Sequence, residues 1–153
     1  MKSKTVLLSI ILITVLLFPA CGPNKPPQTG SAPDKSAVTE GVMTASVDND
    51  SKPTSPVKTS FPVDTAAVYC SFKVTEVSPE DMIKASWYYV KGENKEKENE
   101  LLNETIDIVT TDAFSYYLAF YYDKPATGWY KGSYKVVLSI NSADKLSVPF
   151  NIE

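Results

Sequence analysis

The sequence predicts an all-β domain in residues 61–153, from the position of its aromatic residues and from its alternating apolar pattern. Sixteen of the seventeen aromatic residues lie in this range, so only this part of the chain can build a core. Apolar and polar residues alternate there with a period of two, which is typical of strands that bury one face. Two sheets packed about 10 Å apart would bury these apolar faces against each other. The apolar positions form five runs: Val68, Cys70, Phe72 and Val74; Ile83, Ala85, Trp87 and Tyr89; Phe114, Tyr116, Leu118, Phe120 and Tyr122; Tyr134, Val136, Leu138 and Ile140; Leu146, Val148, Phe150 and Ile152.

The connections between the strands also follow from the sequence. Residues 141–144 separate the last two runs and predict a hairpin turn, so that the chain closes with an antiparallel pair. Pro149 has no backbone N–H, which places the last strand at a sheet edge or at a bulge. Residues 91–103 are rich in Glu and Lys and would suit a charged helix, but they have few apolar side chains with which a helix could dock. We therefore favour a long hairpin connection there, leading into a strand at 105–110.

The first twenty residues have the features of an export signal. Lys2 and Lys4 precede an apolar stretch at 6–18, and Ala20 stands directly before Cys21. A basic start, a short apolar segment and a small residue at the cleavage point are typical of a secretory signal. As a helix the stretch would reach about 20 Å, which is short of the roughly 30 Å hydrocarbon layer of a bilayer. A permanent transmembrane helix is therefore the weaker interpretation.

The segment Leu17-Phe18-Pro19-Ala20-Cys21 resembles the lipobox of bacterial lipoproteins. The resemblance implies thioether lipidation of Cys21, cleavage before it and acylation of the new amino terminus. Two or more acyl chains anchor a protein stably to a bilayer. The resemblance thus implies an extracytoplasmic protein anchored by lipid to a bacterial cell membrane. An ordinary secretory signal with a coincidental cysteine is the alternative.

Residues 22–60 contain no aromatic residue, no leucine and no isoleucine, and they are rich in proline, serine and threonine. Such a segment cannot bury enough apolar surface to offset a chain entropy of about 1–2 kcal/mol per residue. We expect a disordered linker that acts as a tether. The predicted organisation is therefore a signal peptide at 1–20, a lipidated cysteine and tether at 21–60, and a folded domain at 61–153.

The run Gly132-Ser133-Tyr134-Lys135-Val136 is similar to the tyrosine corner of immunoglobulin-like sandwiches, in which a tyrosine hydroxyl bonds to the backbone upstream. Cys70 and Trp87 match, in order, the second-strand cysteine and third-strand tryptophan of that family. The resemblance implies a small immunoglobulin-like antiparallel β-sandwich with Cys70, Trp87, Tyr134 and Val136 as structural residues. Because Val136 stands where disulfide-bearing members have a second cysteine, Cys70 is expected to be a buried free thiol.

The charged residues restrict the chemistry. The chain has no histidine and no arginine, its fifteen cations are all lysines, and its net charge is -3. A Ser-His-Asp triad and a histidine-ligated zinc site are excluded. Nucleic acid binding usually requires a basic face. We therefore expect no metal, no cofactor and no nucleic acid partner.

Aromatic residues are the candidate contacts for a ligand or partner. Tyr88, Tyr117 and Tyr121 would form a platform for sugar rings or for a partner protein if they shared an outer face, and Trp129 lies in a loop beside Gly128. We favour the structural alternatives, which are cross-strand pairing of the tyrosines and packing of Trp129 over the end of the core. The leading interpretation is a lipid-anchored, non-catalytic module of the cell envelope that contacts the membrane and an envelope protein or glycan. A carbohydrate-binding module is the alternative.

A carboxylate-dependent hydrolase is the third interpretation. Glycoside hydrolysis uses a pair of carboxylates and does not need a histidine. A small sandwich leaves little room for the deep cleft that would raise the pKa of one of them, so we expect these acids in turns and on solvated faces and do not expect an enzyme. The candidate acids are Glu76, Glu80, Asp81, Asp107, Asp112 and Asp123.

We predict that the native protein begins at Cys21 and carries acyl chains on it, because a lipobox directs both changes to the cysteine. Mass spectrometry of the N-terminal peptide from the membrane fraction measures both. A Cys21→Ser variant serves as the control, since it should lack the acyl mass. An unmodified Cys21, or a mature chain that begins at another residue, contradicts the prediction.

Overall fold

The computed structural model describes residues 35–153. The all-β prediction is confirmed for this range. The predictions for the signal peptide, for Cys21 and for the tether up to residue 34 fall outside the described residues. In the described range the chain forms β1 (Ala37–Thr44), β2 (Ser60–Phe61), β3 (Ala67–Thr75), β4 (Met82–Gly92), a 3₁₀ turn (Lys95–Lys97), β5 (Glu100–Ile108), β6 (Ser115–Asp123), β7 (Gly132–Ile140) and β8 (Ala143–Ile152).

The strands form two sheets. The first has three strands in the order β1-β3-β6, and both pairs are antiparallel. The second has five strands in the order β2-β8-β7-β4-β5. Its pairs are antiparallel except that β2 runs parallel to the end of β8. The chain moves between the sheets five times, from β1 to β2, β2 to β3, β3 to β4, β5 to β6 and β6 to β7, so neither sheet is built from consecutive strands alone.

The inner faces of the two sheets share one core. Trp87 of β4 lies in it, with its ring centroid 5.8 Å from that of Tyr122 on the other sheet and 6.2 Å from that of Phe150 on β8. Aromatic pairs of this kind contribute about 0.5–1.5 kcal/mol beyond the area that they bury. The predicted alternation in β3, β4, β7 and β8 is confirmed, since the buried set follows it: Val68, Cys70, Phe72, Val74, Ile83, Ala85, Trp87, Tyr89, Tyr134, Val136, Leu138, Ile140, Val148, Phe150 and Ile152.

Part of the predicted tether belongs to the folded domain. β1 pairs along its length with β3 and places Val38 and Met43 in the core. The loop that follows β1 is also held, because the hydroxyl of Ser71 donates to the carbonyl of Ser51 at 2.6 Å. The prediction of a disordered linker at 21–60 is therefore wrong for these residues. The few apolar side chains of β1 are buried against a strand that is distant in sequence. The composition of residues 21–60 does not reveal that such a partner strand exists.

The charged stretch at 91–103 forms a hairpin connection, as favoured over a helix. β4 extends to Gly92, the 3₁₀ turn follows, and β5 begins at Glu100, which is earlier than the predicted start at residue 105. Salt bridges support the turn, with Lys95 2.9 Å from Glu98 and Lys97 2.7 Å from Glu100. Both pairs span three residues, so the charges that suggested a helix instead organise a tight turn.

Two further boundaries differ from the prediction. Phe114 precedes β6 and is 72% exposed, although its spacing placed it in the apolar run. The hairpin between β7 and β8 has only Asn141 and Ser142 at its tip, with φ of 49° and 69°. Left-handed residues at both central positions suit a tight two-residue turn, which shortens the predicted turn at 141–144. Pro149 on β8 pairs only with β7, because β2 pairs with β8 further along the strand, at Asn151. One side of β8 is therefore an open edge at Pro149, as the missing N–H of proline requires.

Tyr134 ties β7 to the loop that precedes it. Its hydroxyl donates to the carbonyl of Tyr130 at 2.7 Å, and its buried ring lies 5.2 Å from that of Phe150 and 5.1 Å from that of Tyr89. Burial raises the pKa of the Tyr134 phenol well above its usual value. The hydroxyl is therefore a neutral donor at any ordinary pH.

We predict that Tyr134→Phe lowers the free energy of unfolding by about 1–3 kcal/mol, because it leaves the carbonyl of Tyr130 without its donor. Urea unfolding followed by circular dichroism measures the change. Tyr121→Phe is the matched control and should change stability by less than about 0.5 kcal/mol, since Tyr121 is exposed. Equal unfolding midpoints for Tyr134→Phe and the parent protein contradict the prediction.

Candidate functional site

An aromatic pocket lies at one end of the domain, where β5 begins, β6 ends and the loop at 124–131 leads into β7. Its volume is about 200 Å³. Sites for drug-sized ligands usually have about 300–1,000 Å³, so this pocket suits a single ring. We call it the aromatic pocket, and it is lined by Lys97, Glu100, Leu102, Tyr122, Pro125, Thr127, Gly128, Trp129, Tyr130 and Tyr134.

Four aromatic side chains, Tyr122, Trp129, Tyr130 and Tyr134, contribute to its lining. The Trp129 ring stands edge to face against the rings of Tyr122 at 5.3 Å and Tyr134 at 5.9 Å. The indole N–H of Trp129 donates to the carbonyl of Thr65 at 2.7 Å, which fixes the orientation of the ring. These contacts are made by the domain's own residues, so the pocket is preformed.

The loop reaches this position through a glycine. Gly128 has φ of 82°, and its N–H donates to the carbonyl of Pro125 at 2.7 Å. The turn brings Trp129 back over the end of the core. A side chain at Gly128 would meet no neighbouring atom but would strain the backbone, because L-residues rarely adopt this conformation.

Polar groups also line the pocket. Nζ of Lys97 lies 2.7 Å from Oε1 of Glu100, and this hydrogen bond raises the pKa of Lys97. Burial raises the pKa of Tyr122. Within residues 35–153, the hydroxyls of Tyr122 and Tyr130 have no hydrogen-bond partner, whereas that of Tyr134 is engaged. The pocket thus offers two uncommitted phenol groups beside its apolar walls.

The three predicted contact tyrosines do not form one platform. Tyr88 lies on the outer face of the five-stranded sheet, where Nζ of Lys135 sits 5.1 Å from its ring centroid. Tyr117 and Tyr121 lie on the outer face of the three-stranded sheet, and Tyr121 packs against Tyr69 at 5.6 Å. Tyr88 is therefore on the opposite side of the molecule from the other two. Only Tyr121 makes the cross-strand contact with another tyrosine that the structural alternative describes.

Tyr117 belongs to a polar row across the three-stranded sheet. Its hydroxyl donates to the carboxylate of Glu40 on β1, and Nζ of Lys73 on β3 lies 3.5 Å from the same carboxylate. The hydrogen bond from Tyr117 lowers the pKa of Glu40, and the same bond raises the pKa of Tyr117. Nζ of Lys52 sits 5.6 Å from the Tyr117 ring. These contacts tie β1 to β6 over the outside of β3.

Trp129 alone among the predicted contact residues lines the aromatic pocket. It is buried and packs over the end of the core, as the structural alternative describes, yet it also contributes to the pocket wall. Tyr122, Tyr130 and Lys97 were not candidates, because the sequence placed Tyr122 in a core run and Lys97 in a charged connection. Tyr130 could have been identified as a site residue from its position directly after Trp129 in an aromatic loop.

Cys70, Trp87 and Val136, which the immunoglobulin resemblance marks as structural, are all buried in the core beside Tyr134. Burial raises the pKa of the Cys70 thiol to about 12. The thiol is unpaired and neutral at ordinary pH. The indole N–H of Trp87 has no hydrogen-bond partner among residues 35–153, so Trp87 is held by packing.

The candidate acids take part mainly in turns and edges. Asp81 accepts hydrogen bonds from the N–H of Ser78 at 2.7 Å and from Nδ2 of Asn141 at 2.6 Å, so it joins two turns. Asp123 lines a groove between β5 and β6, which is described below. Over residues 35–153 no group of three or more carboxylate or thiol side chains is placed to hold a metal ion. The same range holds no helix with the length and hydropathy to traverse a bilayer.

No protein-family model matches the sequence, and neither does any curated protein. Among solved structures the chain is similar to Pseudomonas fluorescens alkylpurine DNA glycosylase AlkC, bound to DNA containing an abasic site analog. The sequence identity is 11% and the TM-score is 0.52. The match covers 80% of this chain and 31% of that one, so this chain spans about a third of the length of the glycosylase. At this identity the likeness concerns the fold.

This comparison contradicts three of the predictions made from the sequence. The neighbour is an enzyme that was solved with DNA, so an all-β unit of this kind occurs within a DNA-binding enzyme. The predictions of a non-catalytic envelope module, of a chain that is not an enzyme, and of membrane and envelope partners without nucleic acid are corrected accordingly. The physical reason is that net charge and the lack of histidine and arginine describe the chain as a whole. Neither property prevents a local pocket from contacting a base.

We predict that Cys70 resists thiol reagents in the folded protein at about pH 8, because its raised pKa leaves roughly a thousandfold fewer thiolates than an ordinary cysteine has. In a Cys21→Ser protein Cys70 is the only thiol, and absorbance of a disulfide reagent measures its reaction before and after denaturation. An added cysteine at the exposed turn, Ser142→Cys, should react at once and serves as the control. Fast labelling of Cys70 without denaturant contradicts the prediction.

Proposed function

We propose that residues 35–153 form an immunoglobulin-like β-sandwich. The strand order supports this, since it corresponds to an A-B-E sheet facing a sheet in which G, F and C are neighbours. In this correspondence β3 is strand B, β4 is C, β6 is E, β7 is F and β8 is G. The hydrogen bond from Tyr134 to Tyr130 at the start of strand F supports it further. Cys70 on strand B and Trp87 on strand C lie at the positions that the family uses in its core.

We propose that this domain binds one planar heteroaromatic ring, of the nucleobase class, in the aromatic pocket. The observation that carries the proposal is the preformed aromatic lining beside two uncommitted phenol groups. Flat rings gain from offset-stacked or edge-to-face contact with aromatic side chains. A ring with donors and acceptors along its edge would also satisfy the hydroxyls of Tyr122 and Tyr130. A purely apolar ligand would leave these hydroxyls without partners.

Charge favours a single base over a long nucleic acid. Residues 35–153 contain twelve lysines and seventeen acidic residues, a net charge of -5. Affinity for duplex DNA depends on neutralising phosphates with cations, so this surface would bind a duplex weakly. Stacking of an unpaired base on aromatic rings depends much less on charge. The structural neighbour was solved bound to DNA containing an abasic site analog, which makes nucleic acid components the first ligands to test.

We predict that nucleosides quench the fluorescence of Trp129, and that Tyr130→Ala weakens their binding by about tenfold or more, because stacking on one aromatic side chain contributes about 1–3 kcal/mol per base. Titration of the protein with adenosine, guanosine, cytidine and uridine measures the dissociation constants. Tyr122→Phe should weaken binding less, since it removes only a hydroxyl and keeps the ring.

Tyr121→Ala is the matched control, because Tyr121 adjoins Tyr122 in β6 but points to the outer face. Thermal melting confirms that each variant is folded. Unchanged affinity in Tyr130→Ala, or equal loss in Tyr121→Ala, overturns the assignment of the pocket. A free monosaccharide that binds as well as the nucleosides overturns the assignment of the ligand class.

A further inference from the structure

A second feature, which adjoins the aromatic pocket at Tyr122, lies along the open side of the two sheets. β5 ends the five-stranded sheet and β6 ends the three-stranded sheet, and among residues 35–153 neither has a partner on its outer edge. Between them runs a groove of about 350 Å³, which we call the β5–β6 groove, lined by Asn103, Thr105, Tyr121, Tyr122 and Asp123. An unpaired strand edge presents a row of backbone N–H and C=O groups that can pair with another chain.

The groove side of β5 is polar and acidic. Asn103, Thr105 and Asp107 pair in register with Trp87, Ala85 and Ile83, so they share the inward face of the sheet. Asn103 and Thr105 line the groove, and Asp107 follows them on the same face of β5. Burial raises the pKa of Tyr116 on β6, and the negative charge of Asp107 adds to this effect.

The carboxylates along the groove lack cations. Asp107 and Asp123 take part in none of the ion pairs found in residues 35–153. The other acids of β5 are engaged, since Glu100 pairs with Lys97 and Glu104 pairs with Lys84. Asp107 and Asp123 therefore have no lysine within ion-pair distance among residues 35–153.

The outer face of the same edge exposes apolar side chains near the end of β5, next to the Lys84–Glu104 salt bridge. Ile106 and Ile108 are exposed on β5, and Met82, which pairs with Ile108, is exposed beside them on β4. β5 contains no lysine and no proline, which often protect edge strands, although its pairing with β4 has a bulge between Trp87 and Tyr88 and Asp107 faces inward. One strand edge thus joins an acidic groove on its inner side to an apolar strip on its outer side.

We propose that β5 binds an extended polypeptide segment of a partner protein by strand addition, and that this segment alternates basic and apolar residues. Successive side chains of an added strand point to opposite faces of the sheet. Its lysines or arginines would enter the groove towards Asp107 and Asp123, and its apolar side chains would cover Ile106 and Ile108. Main-chain hydrogen bonds to β5 would supply affinity, and the alternating side chains would supply specificity.

A second copy of this chain fits the edge less well. If β5 paired with another β5, the groove would receive Asn103, Thr105 and Asp107 again, so a carboxylate would stand where a cation is required. Like charges placed opposite each other destabilise a strand pair. The unneutralised acids therefore favour a basic partner segment.

The experiment uses short fluorescent peptides and measures fluorescence anisotropy with the whole protein. We expect a peptide of alternating lysine and valine to bind, with an affinity that falls as salt is raised, because the attraction is electrostatic in part. A peptide of alternating glutamate and valine should not bind. The lysine peptide with N-methyl groups on alternate residues should also fail, because it cannot complete the main-chain hydrogen bonds.

Two substitutions and two matched controls locate the site. Ile108→Lys and Asp107→Lys should each weaken binding of the lysine peptide about tenfold, since they add positive charge to the edge. Val57→Lys and Asp64→Lys are the matched controls and should not weaken binding of the lysine peptide. Val57 and Ile108 are both 56% exposed, and Asp64 is exposed in a loop. Nucleoside binding should be unchanged in all four variants, which separates this site from the aromatic pocket.

Four results overturn the proposal. If the glutamate peptide binds as tightly as the lysine peptide, the attraction is not electrostatic. If the N-methylated peptide binds as tightly as the lysine peptide, the segment does not bind by strand addition. A dimer in sedimentation experiments that Ile108→Lys dissociates would identify a second copy of this chain as the occupant. Absence of binding by the lysine peptide at low salt also overturns it.

Discussion

The hydrogen bond from the Tyr134 hydroxyl to the carbonyl of Tyr130 connects the core to the loop that forms the aromatic pocket. The Tyr134 ring packs in the core, and the same side chain lines the pocket. Trp129, which lies next to Tyr130, is oriented by the carbonyl of Thr65 in the connection before β3. The rigidity of the pocket is thus supplied by contacts that also stabilise the fold. A ligand that enters it need not order the loop, which lowers the entropic cost of binding.

No disulfide joins the two sheets within residues 35–153, so packing between their inner faces holds them together. The sequence has only two cysteines, and the one in the folded domain, Cys70, is an unpaired thiol in the core. Aromatic side chains from both sheets occupy the space between them, and Trp87 contacts Tyr122 across it. β1 extends the smaller sheet and adds further apolar area. Since β1 comes from a segment with a polar composition, the domain depends on residues that a composition boundary at 61 would omit.

Much of the fold could be predicted from the sequence, but much less of the candidate site. The strands around Trp87, Val136 and Phe150 were predictable because period-two alternation is a local property of the chain. β1 was not, because its partner is β3 and its own residues are mostly polar. The aromatic pocket combines Lys97, Tyr122 and residues of the loop before β7, which lie far apart in sequence. These residues come together only because the start of β5, the end of β6 and the loop before β7 lie at the same end of the two sheets.

The sequence by itself determined that residues 61–153 form strands with one apolar face, because side-chain alternation dictates which face must leave water. Only the tertiary structure decided which strands lie at the sheet edges. That choice left β5 and β6 without outer partners, placed Tyr88 on the opposite side from Tyr117 and Tyr121, and closed a ring-sized pocket around Trp129. The reason is that pairing and edge position result from contacts between distant segments, and these contacts leave no periodic signal in the chain.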